Sequence, residues 1–414
     1  MEIVEEDGND NLISIEGIGE ELLEKIIDNV EKRYKSEDIK SKNFYSFLGY
    51  NILIAINPYG DMDKIKKLYY TKDIKKIYKD YFDDILNKNN INPPKAHIYY
   101  LIEDAYRKML KNKKNQNFII TGDSGSGKTE NAKIILEYLT SSNNDEISKN
   151  IMDSNPLLEA FGNAKTIIND NSSRFGKFIE INFSKEGKIL NAEIKRYLLE
   201  NSRVTHFQNG EENFKIFYQF VLGTNEEEEK KYKIKSLDYY NYLNNEKKKE
   251  NKDYKKDFEQ IKDCLKNFKF SDEDIDNIFK ILSGILYLGN IEFIKKENEI
   301  NLDIVGNKKE DAENAAEFLG LTYIELKTIL IQKDMPSVGK KVPHNNEKAE
   351  NIRDSIAKEI YSKLFDYIIE KINEKIKGEG VEDKNNKDKN NEYSISILDI
   401  FGFENFQNDS DNEK

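Results

Sequence analysis

Tryptophan is absent from these 414 residues, and only 6 prolines, 3 histidines and a single cysteine are present. A lone thiol, Cys264, has no partner for an internal disulfide, which excludes a disulfide-stapled secreted scaffold. His97, His206 and His344 are far apart, and with one cysteine they do not make the ligand spacing of a zinc site. No apolar run approaches the roughly 20 residues that span a bilayer. The opening Met1-Glu2-Ile3-Val4-Glu5-Glu6-Asp7 lacks the basic and apolar regions of a signal peptide. These absences predict a cytoplasmic protein without a transmembrane segment.

Positive charge is also in deficit, with 65 Lys and Arg against 77 Asp and Glu, a net charge of -12. Such a balance argues against nucleic acid as a partner, since that would need a concentrated basic face. The one dense lysine run, Lys247-Lys248-Lys249, is flanked by Glu246 and Glu250 and reads as solvated surface. What is plentiful is aromatic and aliphatic material: 24 Tyr and 22 Phe within 37% hydrophobic residues, enough for a packed interior. Charged residues reach 34%, above the roughly 25% of an average domain, so polar helix faces and insertions accompany that core. The length suits two or more lobes.

The pattern along the chain predicts an α/β fold. Residues 14–40 read as a helical lead-in, and Asn51 to Ile56 as a strand buried on both faces, because its apolar run is uninterrupted. A helix over 97–111 leads to a strand, Asn117 to Thr121, then a glycine-rich turn and a helix over 128–139. Segment 140–149 reads as a polar loop and 154–165 as helix. Phe178–Phe183 and Lys188–Ile194 flank Ser184-Lys185-Glu186-Gly187 as a β-hairpin. Residues 225–260 read as including a surface insertion, and Ser271-Asp272-Glu273-Asp274 as a capping box. Two apolar stripes follow, Ile275 to Leu286 and Ile356, Ile360, Leu364, Ile368 and Ile372, both expected in the core. After a polar spacer over 377–392, a last strand, Tyr393 to Leu398, runs into Asp399. No internal repeat is visible.

Three segments carry chemistry. Gly122-Asp123-Ser124-Gly125-Ser126-Gly127-Lys128-Thr129 fits the P-loop pattern and sits between a strand and a helix. Glycines let backbone N–H groups turn inward around phosphate oxygens, and the helix N-terminus adds positive potential. Lys128 is placed to neutralise phosphate, and Thr129 to ligate Mg²⁺. The second segment runs from Asn169 to Lys177 and contains Ser172, Ser173 and Arg174. Its hydroxyls and amides suit the side of a γ-phosphate where a water is held, although alone it reads as a polar turn. The third is Asp399-Ile400-Phe401-Gly402-Phe403-Glu404. Asp399 at a strand end is the usual position for a carboxylate that holds Mg²⁺ through water, and Gly402 offers a backbone N–H; alone, Asp399 reads as a capping residue.

In this order, the three segments resemble the myosin motor family. Kinesins share the P-loop type, but their switches would read S-S-R-S-H and D-L-A-G-S-E, where this chain has Ser-Ser-Arg-Phe-Gly and Asp-Ile-Phe-Gly-Phe-Glu. Asn155 to Thr166, Tyr197-Leu198-Leu199-Glu200, Gly284 to Ile291 and Asp354 to Lys358 also resemble that family, and the likeness runs from about residue 12 to the end. It implies a P-loop NTPase fold with a mixed central sheet flanked by helices, incomplete on its C-terminal side. Its subdomains would be 12–139 with the P-loop, 150–392 with switch I, and 393–414 with switch II. It implies ATP and Mg²⁺ as ligands and an actin filament as partner in the cytoskeleton.

By the same resemblance, Asn57-Pro58-Tyr59 would begin a loop on the purine, although the stretch through Tyr69 is longer than expected and lacks a Pro-Ile-Tyr ending. Asn169 would belong to the nucleotide site. Ser173 would join Thr129 on Mg²⁺, Ser172 would position the attacking water, and Arg174 would pair with Glu404 to close the pocket. Loop 140–149 would tune ADP release. Val338 falls where the family often has an acidic or phosphorylatable residue, with Ser337 beside it. The chain stops at Lys414 where a relay helix is expected to begin, so converter, lever and most of the actin-binding half would lie elsewhere, and light chains would need that lever. A non-motile nucleotide-binding module is the alternative; a P-loop kinase is disfavoured by the switch residues Arg174 and Glu404. Expressed alone, the chain is expected to aggregate through an open sheet edge.

Overall fold

A computed structural model describes residues 11–12, 15, 19–35, 43–49, 51–58, 62–86, 93–141, 146–243, 253–295, 302–335, 340–377 and 393–400. Tyr59, Ser337, Val338, Gly402 and Glu404 lie outside them, as do most of the 377–392 spacer and the middle of the 140–149 loop. The chain divides into two compact units, Met1–Lys149 with Phe178–Ala192 and Glu382–Lys414, and Asn150–Lys177 with Glu193–Val381.

In the first unit, α1 (Glu20–Lys35) carries acidic residues in its first turn and basic ones in its last, opposing the helix dipole at both ends. Its Arg33 is buried and donates to the Tyr45 carbonyl (2.9 Å) and the Ser46 hydroxyl (2.6 Å). That pins β1 (Tyr45–Phe47), which pairs antiparallel with β2 (Leu53–Ala55), Tyr45 opposite Ala55. The strand expected over 51–56 is thus shorter, and it is not buried on both faces: Ile52 is 55% and Ile54 37% exposed. An apolar run marks a strand's composition, but its cover depends on which elements fold over it. Then follow α2 (Met62–Tyr69), α3 (Lys72–Leu86), α4 (Ile98–Asn112), β3 (Gln116–Ile120) and α5 (Lys128–Thr140).

The chain continues with α6 (Glu146–Asp153), α7 (Asn155–Gly162), the short strands β4 (Asn163–Ala164) and β5 (Ser172–Ser173), then β6 (Gly176–Phe183) and β7 (Ile189–Tyr197). Two expectations need correction here. Residues Glu146 onward are helix, not loop. The helix expected to 165 stops at Gly162, where the chain turns extended to pair β4 with β5. The second unit goes on with α8 (Lys215–Gly223), α9 (Glu226–Lys231), α10 (Tyr254–Asn267), α11 (Asp272–Gly289), β8 (Phe293–Lys295) and β9 (Leu302–Ile304). It ends with α12 (Lys309–Phe318), α13 (Tyr323–Ile331), β10 (Gln332–Met335), β11 (Lys340–Pro343) and α14 (Asn346–Ile376), and β12 (Tyr393–Asp399) returns to the first unit. Within the 225–260 stretch, residues from Tyr254 onward open α10, whose Phe258 is fully buried.

The capping box at Ser271 forms as expected: its hydroxyl accepts from the Asp274 N–H at 3.0 Å, and the Asp274 carboxylate accepts from the Ser271 N–H at 3.0 Å. In α14 the expected stripe is buried at Leu364, Ile368 and Ile372. Toward its start the buried face is instead Asp354, Ala357 and Tyr361, with Ile356 and Ile360 only partly covered. Tyr361 decides that rotation, stacking between Phe161, Phe214 and Phe217 and donating to the Phe161 carbonyl at 2.8 Å.

The largest sheet has the order β3–β12–β6–β7. β12 runs parallel to β3 in the register Ile395–Gln116 to Asp399–Ile120, and the Ser394 N–H donates to the Asn115 side chain at 3.0 Å. β6 and β7 form the predicted hairpin, closed by the Ser184 N–H to the Lys188 carbonyl at 2.8 Å. A parallel pair beside a hairpin makes the sheet mixed, as expected. α4 and α5 both pack on β3 and β12. Among the described residues β3 is the margin of this sheet, and a groove of about 460 Å³ lies between it and β2. No helix among the described residues is long and apolar enough to cross a membrane.

Candidate phosphate site

β3 delivers the chain to Gly122, and α5 carries it away from Lys128. Between them the backbone takes left-handed φ values at Gly125 (79°) and Gly127 (90°), which side chains with a Cβ adopt only under strain. The turn therefore depends on those two glycines. Gly127 caps α5 without a side-chain bond, so the helix N-terminus presents its first N–H groups to whatever lies in the loop. The Lys128 ammonium donates to the Gly122 carbonyl (2.7 Å) and the Asp123 carbonyl (2.6 Å), which holds it at the loop's mouth.

Asp399 stands in register with Ile120, just before the loop, and is 5% exposed. Adjacent parallel strands thus bring the loop and this carboxylate to the same end of the sheet, where ligands of open α/β sheets bind. Asn57, at the end of the β1–β2 ribbon, reaches the loop directly, its amide donating to the Gly125 carbonyl at 2.7 Å.

A second, unforeseen set of side chains stands behind the loop. Asn131 donates to the Gly127 carbonyl (3.0 Å) and accepts from the Tyr45 hydroxyl (3.2 Å), leaving Tyr70 to donate to Tyr45 at 2.6 Å. Next to them His97 caps α4, accepting the Tyr99 N–H through Nδ1 at 3.0 Å, while Nε2 meets the Tyr69 carbonyl at 3.0 Å. Burial among aromatic rings pushes its pKa down to about 3, so it stays neutral. At the far end of α5, Lys75 donates to the Tyr138 carbonyl at 2.7 Å, and burial lowers its pKa to about 8.

Asn169, Ser172, Ser173 and Arg174 belong to the second unit. Asn169 closes a turn: its carbonyl accepts the Thr166 N–H at 2.9 Å and its side chain accepts the Asn171 N–H at 2.9 Å. Asn171 is held by the Asn163 amide (2.9 Å) and the Lys215 ammonium (2.5 Å). The β4–β5 ladder sets Ser172 opposite Ala164 and Ser173 opposite Asn163.

Arg174 is 6% exposed; its Nε donates to Glu200 at 2.6 Å and a terminal nitrogen donates to the Ser172 hydroxyl at 3.1 Å. Glu200 also takes Arg203 (2.7 Å), which reaches on to Glu211 (2.8 Å), a partly buried cluster of two guanidinium groups and two carboxylates. Burial alone would raise the Glu200 carboxyl, but Arg203 and Arg174 outweigh it and hold the group below its usual range. Glu200 was visible in the sequence only as part of a family-like run. Its spacing to Arg203 was a usable signal, whereas its pairing with Arg174 was not. The expected Arg174–Glu404 pair lies outside the described residues.

A family model of the myosin head (motor domain) matches residues 10–413. The chain belongs to the myosin head family. It is 37% identical to the myosin-I heavy chain of Dictyostelium discoideum over 94% of its own residues and 16% of that protein. It is likewise 37% identical to human myosin-IIIa over 97% of its residues and 24% of that protein, and 36% identical to myosin-3 of Arabidopsis thaliana over 98% and 32%. The chain thus spans less than a third of each of these myosins. The resemblance drawn from the switch segments is borne out, and the P-loop NTPase character of the myosin head agrees with the mixed sheet and its loop.

Proposed function

We propose that this chain carries the Mg·ATP-binding and hydrolysing part of a myosin-type motor that works on actin filaments in the cytoplasm. The observation that carries the reading is the P-loop between β3 and α5 with Asp399 buried in register beside it. The loop's N–H groups, the α5 N-terminus and Lys128 would bind the β- and γ-phosphates, supplying donors where charge develops on the transferred group. Ser172 would orient the attacking water, Gly402 would offer its N–H to the γ-phosphate, and Arg174 would pair with Glu404 to close the site. Positioning and fixed dipoles, in place of a strong base, would lower the barrier.

Mg²⁺ fits the donors on offer. Thr129 and Ser173 would supply hydroxyls and Asp399 an oxygen donor through water, the hard ligands this ion accepts while keeping part of its hydration. No cluster of three or more His, Cys, Asp or Glu side chains that would hold a metal by itself occurs among the described residues, so phosphate oxygens would complete the shell. The bound ion would neutralise phosphate charge.

Lys128→Ala tests the reading. Phosphate release from Mg·ATP is expected to fall by about 100-fold or more; unchanged turnover would refute the site. Nucleotide binding by the parent chain without any turnover would favour the non-motile module.

A further inference from the structure

The family likeness puts Asn57 on the purine, but its side chain is lodged against the phosphate loop. Its amide donates to the Gly125 carbonyl at 2.7 Å, and a Cβ built on Gly127 would lie 3.7 Å from Asn57 Cγ, in ordinary contact. The Tyr34 hydroxyl reaches the Asn57 backbone carbonyl at 3.4 Å and helps fix the residue from behind.

We propose that Asn57 is a positioning residue for the phosphate loop, acting through the Gly125–Ser126 peptide and not on the base. The argument is elementary. In a planar trans peptide the C=O of one residue and the N–H of the next point opposite ways. A donor fixed on the Gly125 carbonyl therefore aims the Ser126 N–H to the other side of the plane. There it meets the Asp123 carbonyl at 3.2 Å, which also accepts the Lys128 ammonium at 2.6 Å, so this peptide closes the turn that carries the lysine. Asn57 thus holds from one side the peptide whose other side closes this turn. Asn131 does the same one turn on, holding the Gly127 carbonyl at 3.0 Å and so orienting the Lys128 N–H. The flanking glycines make such holding necessary, since nothing in their own side chains limits rotation of these peptides.

The inference rests on the loop being a phosphate site, and the test separates the two. Dissociation constants for Mg·ATP and for Mg·pyrophosphate, which has no base, are measured by calorimetry on the 414-residue chain and on Asn57→Ala and Asn57→Asp. Asn57→Ala is expected to weaken the two ligands by the same factor, about 10-fold, the worth of one orienting hydrogen bond. Asn57→Asp keeps the shape, replaces the donor by an acceptor and adds a negative charge, so it should weaken both ligands more than Asn57→Ala does; partial unfolding would change the stoichiometry but not the ratio of the two constants. Loss confined to Mg·ATP would show a base contact and overturn the inference, as would no loss at all, with the phosphate site intact. A parent chain that binds neither ligand would overturn the phosphate-site reading and this inference with it.

Discussion

Replacing Gly162 by alanine sets two effects of opposite sign against each other. Gly162 ends α7, and by helix propensity alanine gains up to about 1 kcal/mol over glycine inside a helix, less at its last residue. The new methyl, however, would lie 2.2 Å from Phe175 Cε1 and 2.4 Å from Cδ1. The ring has to retreat by more than 1 Å to reach ordinary contact, and it is 4% exposed and set edge-on to Phe365 at 5.2 Å. Overpacking of this kind costs about 1–3 kcal/mol, so the net result is a destabilisation of about 1–2 kcal/mol. The Gly162 carbonyl accepts the Arg174 N–H at 2.8 Å, so the displaced backbone also shifts Arg174, and ATP turnover is expected to fall with stability. Urea unfolding followed by circular dichroism measures the first effect and phosphate release the second. A variant as stable as the parent, or more so, would refute the packing argument and leave propensity in charge.

Glu200→Ala strands the guanidinium groups of Arg174 and Arg203 with the Glu211 carboxylate and should cost about 2 kcal/mol, discounted because the Glu200 side chain is 31% exposed. Because the folded Glu200 pKa is depressed, its contribution is complete above the usual glutamate value and is lost as pH falls through the lower folded one; the parent's acid unfolding should show this and the variant's should not. His97, with its pKa lowered to about 3, stabilises the fold above about pH 6.5 and loses that contribution as pH falls toward 3, so His97→Asn, which keeps a capping side chain, should flatten the stability–pH curve across this window. If the curve keeps its slope, another group is responsible. Ile119 is 74% exposed on the marginal strand β3, and Ile119→Lys should reduce association of the isolated chain in light scattering; unchanged association would clear this edge.

The sequence alone determined what is local. The glycines of the P-loop dictate its turn, because φ values of 79° and 90° are closed to most other residues. The Ser271 capping box lies within one helical turn, and the hairpin around Ser184–Gly187 needs only its own turn and two alternating runs, so each was legible from spacing. Tertiary structure decided whatever joins distant segments. Glu200 lies 26 residues from Arg174, Asn57 lies 68 from Gly125, and Tyr361, which fixes the buried face of α14, reaches back 200 residues to Phe161. Periodicity says that a side chain is apolar or charged, and it says which helix face will be buried only when one face is clearly richer. It cannot name the partner, because the partner of a buried charge or ring is chosen by how whole elements pack, a property of the folded chain and of no window within it.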